Sequence, residues 1–146
     1  MREAGESLGV AILPLLFDDA SENIYKRLIN EGADRGAQAL VISDTTENFT
    51  YRAIIVREAN GRGLPTFAAY RAFAELGATV SLGVNLEEMF RELARQIAHI
   101  LDGTSPGDIP FFLSNTFELV VNRRSATQLG LQFSPTLLAR ADEVIE

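Results

Sequence analysis

Short apolar runs alternate with amphipathic segments along the first part of the chain. Nearly continuous apolar runs, typical of strands buried on both faces, predict strands at 9–17, 39–43 and 66–70, and an alternating run predicts a fourth at 78–84. Apolar residues at helical spacing predict intervening helices at 22–30, 50–60 and 71–76. Because Pro14 lacks a backbone donor, we expect the first strand to lie at a sheet edge or to carry a bulge. The alternation indicates an α/β fold, a three-layer sandwich around a mostly parallel sheet.

A long amphipathic helix follows the fourth strand. Asn85 is placed to cap a helix over 86–101, with Glu87 and Glu88 in the first turn, where the helix dipole favours acidic residues. Its apolar stripe consists of Leu86, Met89, Phe90, Leu93, Ile97, Ile100 and Leu101. A turn-rich connector at 102–108 then leads to a last strand at 117–122 and to helical segments at 125–129 and 135–145.

The composition excludes several classes of protein. The chain has 146 residues, a formal net charge of −7, one histidine and no cysteine. This length fits a single domain over 1–146, and the acidic balance argues against nucleic acid as a partner. Without cysteine there is no thiol nucleophile and no cysteine-based zinc site. No apolar run approaches the roughly 20 residues of a membrane helix, and the acidic start at Met1 predicts no signal peptide.

Polar and aromatic side chains follow the predicted strands, at the positions where parallel sheets bind ligands. Asp18, Asp19 and Asp44 could hold Mg²⁺ as in receiver domains. That chemistry needs a nearby lysine, and the one lysine, Lys26, falls in the first helix, so we favour helix caps and a polar loop. Since there is also no nucleophile elbow and no phosphate-cradling loop, we expect no enzymatic activity, no cofactor and no metal.

The segment Tyr70-Arg71-Ala72-Phe73 offers a different chemistry just after the third predicted strand. A guanidinium pairs with a carboxylate through two hydrogen bonds, and aromatic rings sandwich a flat or apolar group. The alternative, an arginine that simply starts a surface helix, stays open. Asn85 offers an amide at a helix N-terminus to a polar ligand.

An ordered series of short motifs runs through the chain. It includes Leu8-Gly9-Val10, Gly32-Ala33-Asp34, Gly63-Leu64-Pro65, Leu82-Gly83-Val84-Asn85 and Gly107-Asp108-Ile109-Pro110. It ends with Phe117-Glu118-Leu119-Val120-Val121-Asn122, Leu129-Gly130-Leu131 and the stretch from Pro135 to Glu146. In this order the motifs resemble the substrate-binding components of ABC-type importers, in the largely uncharacterised tryptophan/tyrosine-type group. The resemblance covers essentially the whole chain, and no single motif carries it.

The resemblance implies one lobe of a periplasmic-binding-protein-like (type I) fold. Proteins of that family have two α/β lobes with a ligand between them, are about twice this length and deliver a solute to a membrane permease. The implied content of this chain is the second lobe and C-terminal tail: core sheet and helices at 8–84, a helix at 85–102 that would pack on the first lobe, and a returning strand with C-terminal helices at 111–146. The intact parent would be periplasmic or extracytoplasmic, although the start of this sequence predicts no signal peptide.

Carried over position by position, the ligand contacts of the family fall on three loops. The implied residues are Thr45, Thr46 and Asn48, then Tyr70, Arg71 and Phe73, then Gly83, Asn85 and Leu86. Relatives often have Asp-Asn or Asp-Pro at 45–46 and an acid at 85, so carboxylates that could hold an amine are absent here. The implied ligand is a small solute, with an amino acid or another carboxylate as the candidates.

The apolar stripe of the helix at 86–101 has a consequence for the oligomeric state. If its partner lobe is absent, this stripe would be exposed to water at a cost in free energy, as would unpaired strand edges. We therefore predict a homodimer, with exchanged segments as one form of it. Solute binding for an ABC importer is the favoured function, and an orphan lobe that serves as a non-transport sensor or interaction domain is the alternative.

Overall fold

The structure is a computed structural model that describes residues 2–146, with side chains from residue 5 onward. Its helices are α1 (Arg2–Ser7), α2 (Glu22–Asp34), α3 (Thr46–Thr50), α4 (Arg52–Gly61), α5 (Arg71–Glu75), α6 (Leu86–Leu101), α7 (Arg123–Gln128) and α8 (Pro135–Arg140). Its strands are β1 (Leu40–Val41), β2 (Thr66–Ala68), β3 (Val80–Val84), β4 (Phe117–Asn122) and β5 (Glu143–Ile145). A 3₁₀ turn occupies Pro106–Asp108.

Within residues 2–146 the five strands form one sheet in the order β1-β2-β3-β4-β5. β1, β2 and β3 are parallel, β4 is antiparallel to β3, and β5 is parallel to β4. The register places Val84 opposite Phe117, so the end of β3 meets the start of β4. We call this side of the sheet, where β1 to β3 end and β4 and β5 begin, the carboxyl edge. The mostly parallel α/β sheet confirms the expected fold class.

Helices α2, α4 and α5 pack on one face of the sheet and enclose the core. One cluster of buried residues joins these helices to β2 and its flanking loops: Tyr25, Ile29, Ile42, Ile55, Val56, Ala59, Leu64, Ala68, Phe73 and Ala78. The helical spacing of the apolar residues in α2 and α4 places them on the inner side of each helix. This layer therefore supports the strands whose ends form the carboxyl edge.

The second face of the sheet is only partly covered. Strand register places Val41, Phe67, Val80 and Val121 on this face, because residues opposite each other in a sheet share a face. Val121 is fully buried, whereas Val41 is 53% exposed and Phe67 is 41% exposed. The cover is thus complete near β4 and incomplete toward β1.

The strand predicted at 9–17 is wrong. In the described part of the chain, residues 11–17 form neither a helix nor a strand, and no backbone hydrogen bond joins them to the sheet. Leu15 and Phe17 pack on α2 instead: Leu15 lies against Gly32, and the Phe17 ring makes an edge contact with Tyr25 at 5.2 Å between centroids, whereas Leu16 is 83% exposed. Packing on a helix satisfies the same apolar pattern as burial in a sheet, and Pro14 removes one donor that pairing would need.

Other boundaries also differ from the expectations. The helix predicted at 50–60 is α4, which begins at Arg52, and the polar loop predicted before it contains a further short helix, α3, which Thr45 caps and a break at Tyr51 separates from α4. The predicted helix at 135–145 ends at Arg140, because Ala141 is extended and the β-branched residues after it pair with β4 as β5. The strand expected at 39–43 shortens to Leu40–Val41. By contrast, α6 and β4 have the bounds that the sequence predicts.

Candidate functional site

The carboxyl edge brings the three predicted loops to one side of the molecule. Thr45, Thr46 and Asn48 follow β1, Tyr70 and Arg71 follow β2, and Gly83, Asn85 and Leu86 lie at the end of β3. Because β1, β2 and β3 are parallel neighbours, their C-terminal loops lie side by side.

The loop after β1 is held by a buried asparagine. Asn48 is 8% exposed, and its side-chain oxygen accepts a hydrogen bond from the Tyr25 hydroxyl at 2.8 Å. Its amide nitrogen donates to the Ser43 carbonyl at 3.0 Å and to the Ser43 hydroxyl at 2.9 Å. Asn48 therefore holds the loop in place through buried hydrogen bonds and does not form part of its exposed surface. Thr45 caps α3 by accepting from the Asn48 backbone N–H at 3.3 Å, and Thr45 and Thr46 remain exposed at the edge.

Tyr25 belongs to an aromatic cluster beneath this loop. Its ring lies 5.2 Å from that of Phe17 and 5.2 Å from that of Tyr51, centroid to centroid. The Tyr51 hydroxyl donates to the Ala20 carbonyl at 3.3 Å. Burial raises the pKa of the Tyr25 hydroxyl, with smaller contributions in the same direction from Glu47 and Tyr51. Tyr25 therefore stays protonated and keeps its role as donor to Asn48.

The loop after β2 presents Tyr70, with Phe73 behind it. The half-buried Tyr70 ring meets Phe49 edge-on at 5.6 Å between centroids. Phe73 is 2% exposed, lies in the core cluster and contacts Phe49 at 6.3 Å between centroids. Of the two aromatic residues predicted in this loop, the structure thus brings Tyr70 to the edge and places Phe73 in the core.

Arg71 joins three elements through its guanidinium. It pairs with Glu75 on its own helix at 2.8 Å, with Glu118 of β4 at 3.3 Å and with Glu143 of β5. These carboxylates, above all Glu143 and Glu75, which accept hydrogen bonds from the guanidinium, raise the pKa of Arg71 further. The guanidinium is thus paired with three carboxylates of the protein itself. These ion pairs cannot be predicted from the sequence, because Glu118 and Glu143 are distant in the chain and only the sheet order brings them to Arg71.

Gly83 and Asn85 shape the third loop. A Cβ atom at Gly83 would lie 1.7 Å from the carbonyl oxygen of Ala69, so only glycine fits between the loops after β2 and β3. The Asn85 side chain caps α6 by accepting from the Glu88 backbone N–H at 3.0 Å. The Asn85 N–H donates to the Thr116 carbonyl at 3.4 Å and so ties this loop to the segment that enters β4.

Two cavities of the structure lie mainly elsewhere. A polar cavity of about 280 Å³ is bordered by residues of α4, α5, α7 and the C-terminus, among them Asn60, Gly77 and Ser125. An apolar groove of about 450 Å³ runs along α6, and Leu86 is the predicted site residue that borders it. No group of three or more potential metal ligands forms among residues 2–146. Over the same residues, no helix combines the length and apolarity needed to cross a bilayer.

Solved structures show the same fold. The chain has a TM-score of 0.85 and 22% identity to a conserved domain protein from Vibrio cholerae, over 98% of this chain and 47% of that one. It has a TM-score of 0.85 and 19% identity to an ABC domain from Streptococcus pneumoniae in complex with L-Trp, over 99% and 49% of the two chains. The chain has a TM-score of 0.66 and 19% identity to the ligand-free, open structure of a substrate-binding protein with adhesive properties from Clostridium difficile, over 99% of this chain and 47% of that one.

The present chain therefore spans about half the length of these structures. No curated protein matches it significantly. The sequence profile of the family described as ABC transporter substrate binding protein matches residues 23–145, nearly the whole chain. Because this match covers most of the chain, the chain belongs to the ABC transporter substrate-binding protein family.

Proposed function

We propose that the carboxyl edge contributes to the binding of a small solute, which the intact protein delivers to an ABC permease. The observation that carries the proposal is the family match over residues 23–145. A fold that holds three strand-end loops side by side, where α/β sheets bind ligands, supports it. Family membership also supports a non-enzymatic role and an extracytoplasmic location for the intact protein.

We further propose that this chain corresponds to one lobe, the second, of a two-lobed binding protein. The chain aligns over nearly its full length with about half of each similar structure, which supports the assignment. A single lobe supplies only one wall of a cleft. We therefore expect weaker solute binding by this chain than by a two-lobed protein, because fewer contacts offset the cost of association.

The edge divides into contact residues and positioning residues. Thr45 and Thr46 offer exposed hydroxyls, Tyr70 offers a ring face, and Asn85 offers polar groups at the start of α6. Asn48, Phe73, Arg71 and Gly83 instead hold these loops in place through the buried contacts and ion pairs described above. Leu86 contributes apolar surface between the edge and the groove along α6.

An aromatic amino acid is the first solute to test, because the Streptococcus protein of similar fold is in complex with L-Trp. An amino acid of another kind and a plain carboxylate are the further candidates. Calorimetric titration of the chain with L-Trp, L-Tyr, L-Leu and acetate is the direct test. Saturable heat with an amino acid or with acetate supports the binding of a small solute and identifies its class, while no heat with any of the four at millimolar concentration contradicts the proposal for this chain.

The Tyr70→Ala variant tests whether the heat comes from the carboxyl edge. We expect the affinity to fall about tenfold, which equals about 1.4 kcal/mol, since the ring face is lost. Phe67→Ala is the matched control, because Phe67 is a half-exposed aromatic residue of β2 on the second face of the sheet. Equal losses of solute affinity in both variants would show that the solute does not bind specifically at the carboxyl edge.

An alternative function is an oligomeric sensor or interaction domain without transport. The exposed apolar face of α6 is the observation that favours it, because such a face is typical of a protein interface. The same titration separates the two functions. A chain that self-associates and binds none of the solutes supports the alternative, whereas edge-dependent binding supports solute capture. A homodimer is compatible with solute capture and with the sensor or interaction function, so the oligomeric state alone does not separate them.

A further inference from the structure

Arg52 is the first residue of α4 and lies at the carboxyl edge. A crossover helix begins on the side of the sheet where the preceding strand ends, and α4 follows β1 through α3. Side chains of a helix lean toward its N-terminus, so the Arg52 side chain is directed back toward the edge. Its guanidinium Nη1 accordingly donates a hydrogen bond to the carbonyl oxygen of Phe49 at 2.7 Å.

The Arg52 guanidinium lies on an aromatic surface. Its carbon atom Cζ is 4.5 Å from the centre of the Phe49 ring, which is the geometry of a cation–π contact. The Phe49 ring in turn meets the Tyr70 ring edge-on at 5.6 Å between centroids. A cation and two rings, from the segment after β1 and the loop after β2, thus form one continuous surface. We call Arg52, Phe49 and Tyr70 the Arg52 patch.

Most of the hydrogen-bonding capacity of Arg52 is unused. A guanidinium has several N–H donors in one plane, and the Phe49 carbonyl is the one acceptor that Arg52 meets among residues 5–146. No carboxylate of these residues forms an ion pair with it, although the exposed Asp44 and Glu47 precede α4 closely in the chain. A half-buried charge without a counter-ion is stabilised when an anion binds beside it.

Arg71, the arginine of the neighbouring loop, differs from Arg52 in this respect. Its guanidinium is paired with Glu75, Glu118 and Glu143, so a solute carboxylate would have to displace a carboxylate of the protein. Binding at Arg52 requires no such exchange. Arg52 is also half-buried, whereas Arg71 is exposed, so solvent screens the charge of Arg52 less.

We propose that Arg52 binds the carboxylate of the solute and thereby selects carboxylic acids that have a flat or apolar body. The inference rests on the proposed function, solute binding at the carboxyl edge. The guanidinium would hold the carboxylate through two parallel hydrogen bonds, and the body of the solute would lie on the Tyr70 ring. The Arg52 patch requires the carboxylate and makes no contact that depends on an amino group.

Calorimetric titration of the chain with three related compounds tests this requirement. They are L-Trp, indole-3-propionic acid, which lacks the amino group, and L-tryptophanamide, which lacks the carboxylate. We expect the two carboxylates to bind with similar affinity and the amide to bind about tenfold more weakly, because it cannot form the charged pair with Arg52. Equal binding of the amide and L-Trp would overturn the proposal.

The Arg52→Gln variant tests the residue itself. We expect the affinity for both carboxylates to fall about tenfold and the affinity for the amide to stay unchanged. Arg57→Gln is the matched control, because it removes the same charge from an exposed position of the same helix, and it should bind all three compounds as the parent chain does. Arg52→Lys keeps the charge but not the planar pair of donors, so its affinity for the carboxylates should lie between those of the parent chain and Arg52→Gln.

Circular dichroism of each variant checks that it is folded. A folded Arg52→Gln variant that binds L-Trp as tightly as the parent chain would overturn the proposal and leave solute binding at the edge intact, provided that Tyr70→Ala still weakens it. If L-Tyr, L-Leu or acetate binds instead of L-Trp, the same comparison of variants is made with that carboxylate. Heat with none of the compounds would overturn the proposed function of this chain and this inference with it.

Discussion

The backbone of Gly83 lies directly against the carbonyl of Ala69. A Cβ atom at residue 83 would approach that oxygen to 1.7 Å, and neither group belongs to a flexible side chain that could move away. The contact joins the end of β3 to the loop after β2. It therefore sets how closely two of the three loops of the carboxyl edge approach each other.

Gly83→Ala should destabilise the protein by about 3 kcal/mol, because the new methyl group can be accommodated only by backbone movement. The midpoint of urea unfolding measures the change at constant slope. Gly61→Ala is the control: Gly61 is the last residue of α4, and a Cβ atom there meets nothing within 4 Å. We expect that variant to be as stable as the parent chain or slightly more stable. A Gly83→Ala variant of unchanged stability would show that the two loops can separate freely.

Asn48 should matter more to stability than an exposed residue of the same helix. Asn48→Ala leaves the buried Tyr25 hydroxyl and Ser43 groups without their partner, and we expect a loss of about 2–3 kcal/mol. Thr50→Ala, at an exposed site of α3, should cost less than about 1 kcal/mol. In a double-mutant cycle with Tyr25→Phe, coupling of about 1 kcal/mol should appear. Additive effects would argue that the Tyr25–Asn48 hydrogen bond contributes little.

The stability should fall in alkaline solution because of Tyr25. The folded protein raises the pKa of this hydroxyl above 10.0, the value in the unfolded chain, chiefly by burial. Between those two pKa values the folded state retains a proton that the unfolded state loses, so stability decreases as the pH rises above about 10. Below that pH the contribution is fully present.

Urea unfolding at a series of pH values from 8 to 11 checks this prediction, with Tyr25→Phe as the comparison. The variant should be less stable at pH 8, because the hydrogen bond to Asn48 is lost, but its stability should depend less on pH above about 10. Parallel curves for the two proteins would assign the alkaline loss to other groups.

Arg71→Gln should weaken the junction between α5, β4 and β5. The side chain is 41% exposed, so solvent screens its ion pairs, and we expect a loss of only about 1 kcal/mol, which shrinks in 1 M salt. Arg57→Gln is the control, since Arg57 pairs with its neighbour Glu58 and its side chain is 62% exposed. That variant should be neutral. A complete loss of solute binding in Arg71→Gln with unchanged stability would instead show that Arg71 contacts the solute directly.

The local sequence predicts the helices and the strands near the middle of the chain. It does not predict where the strands end, and it wrongly predicts a strand at 9–17. Asn85, with acidic residues after it and a long apolar stripe, predicts α6 because capping and helical periodicity are local properties. The apolar run at 9–17 does not form a strand, because its side chains pack on α2 and its backbone has no neighbouring strand. The apolar pattern alone does not distinguish these two kinds of burial.

The α/β alternation, the family and the three loops in which site residues should be sought can be predicted from the amino-acid sequence, because helical periodicity, capping residues and the order of the motifs can be identified along the chain. The contacts that each residue makes in those loops depend on the tertiary structure. Asn48 and Phe73 are buried, and Arg71 is bound by Glu118 and Glu143 from strands that follow much later. These roles depend on which strands are neighbours, and the order of strands in a sheet is a long-range property that no local pattern contains.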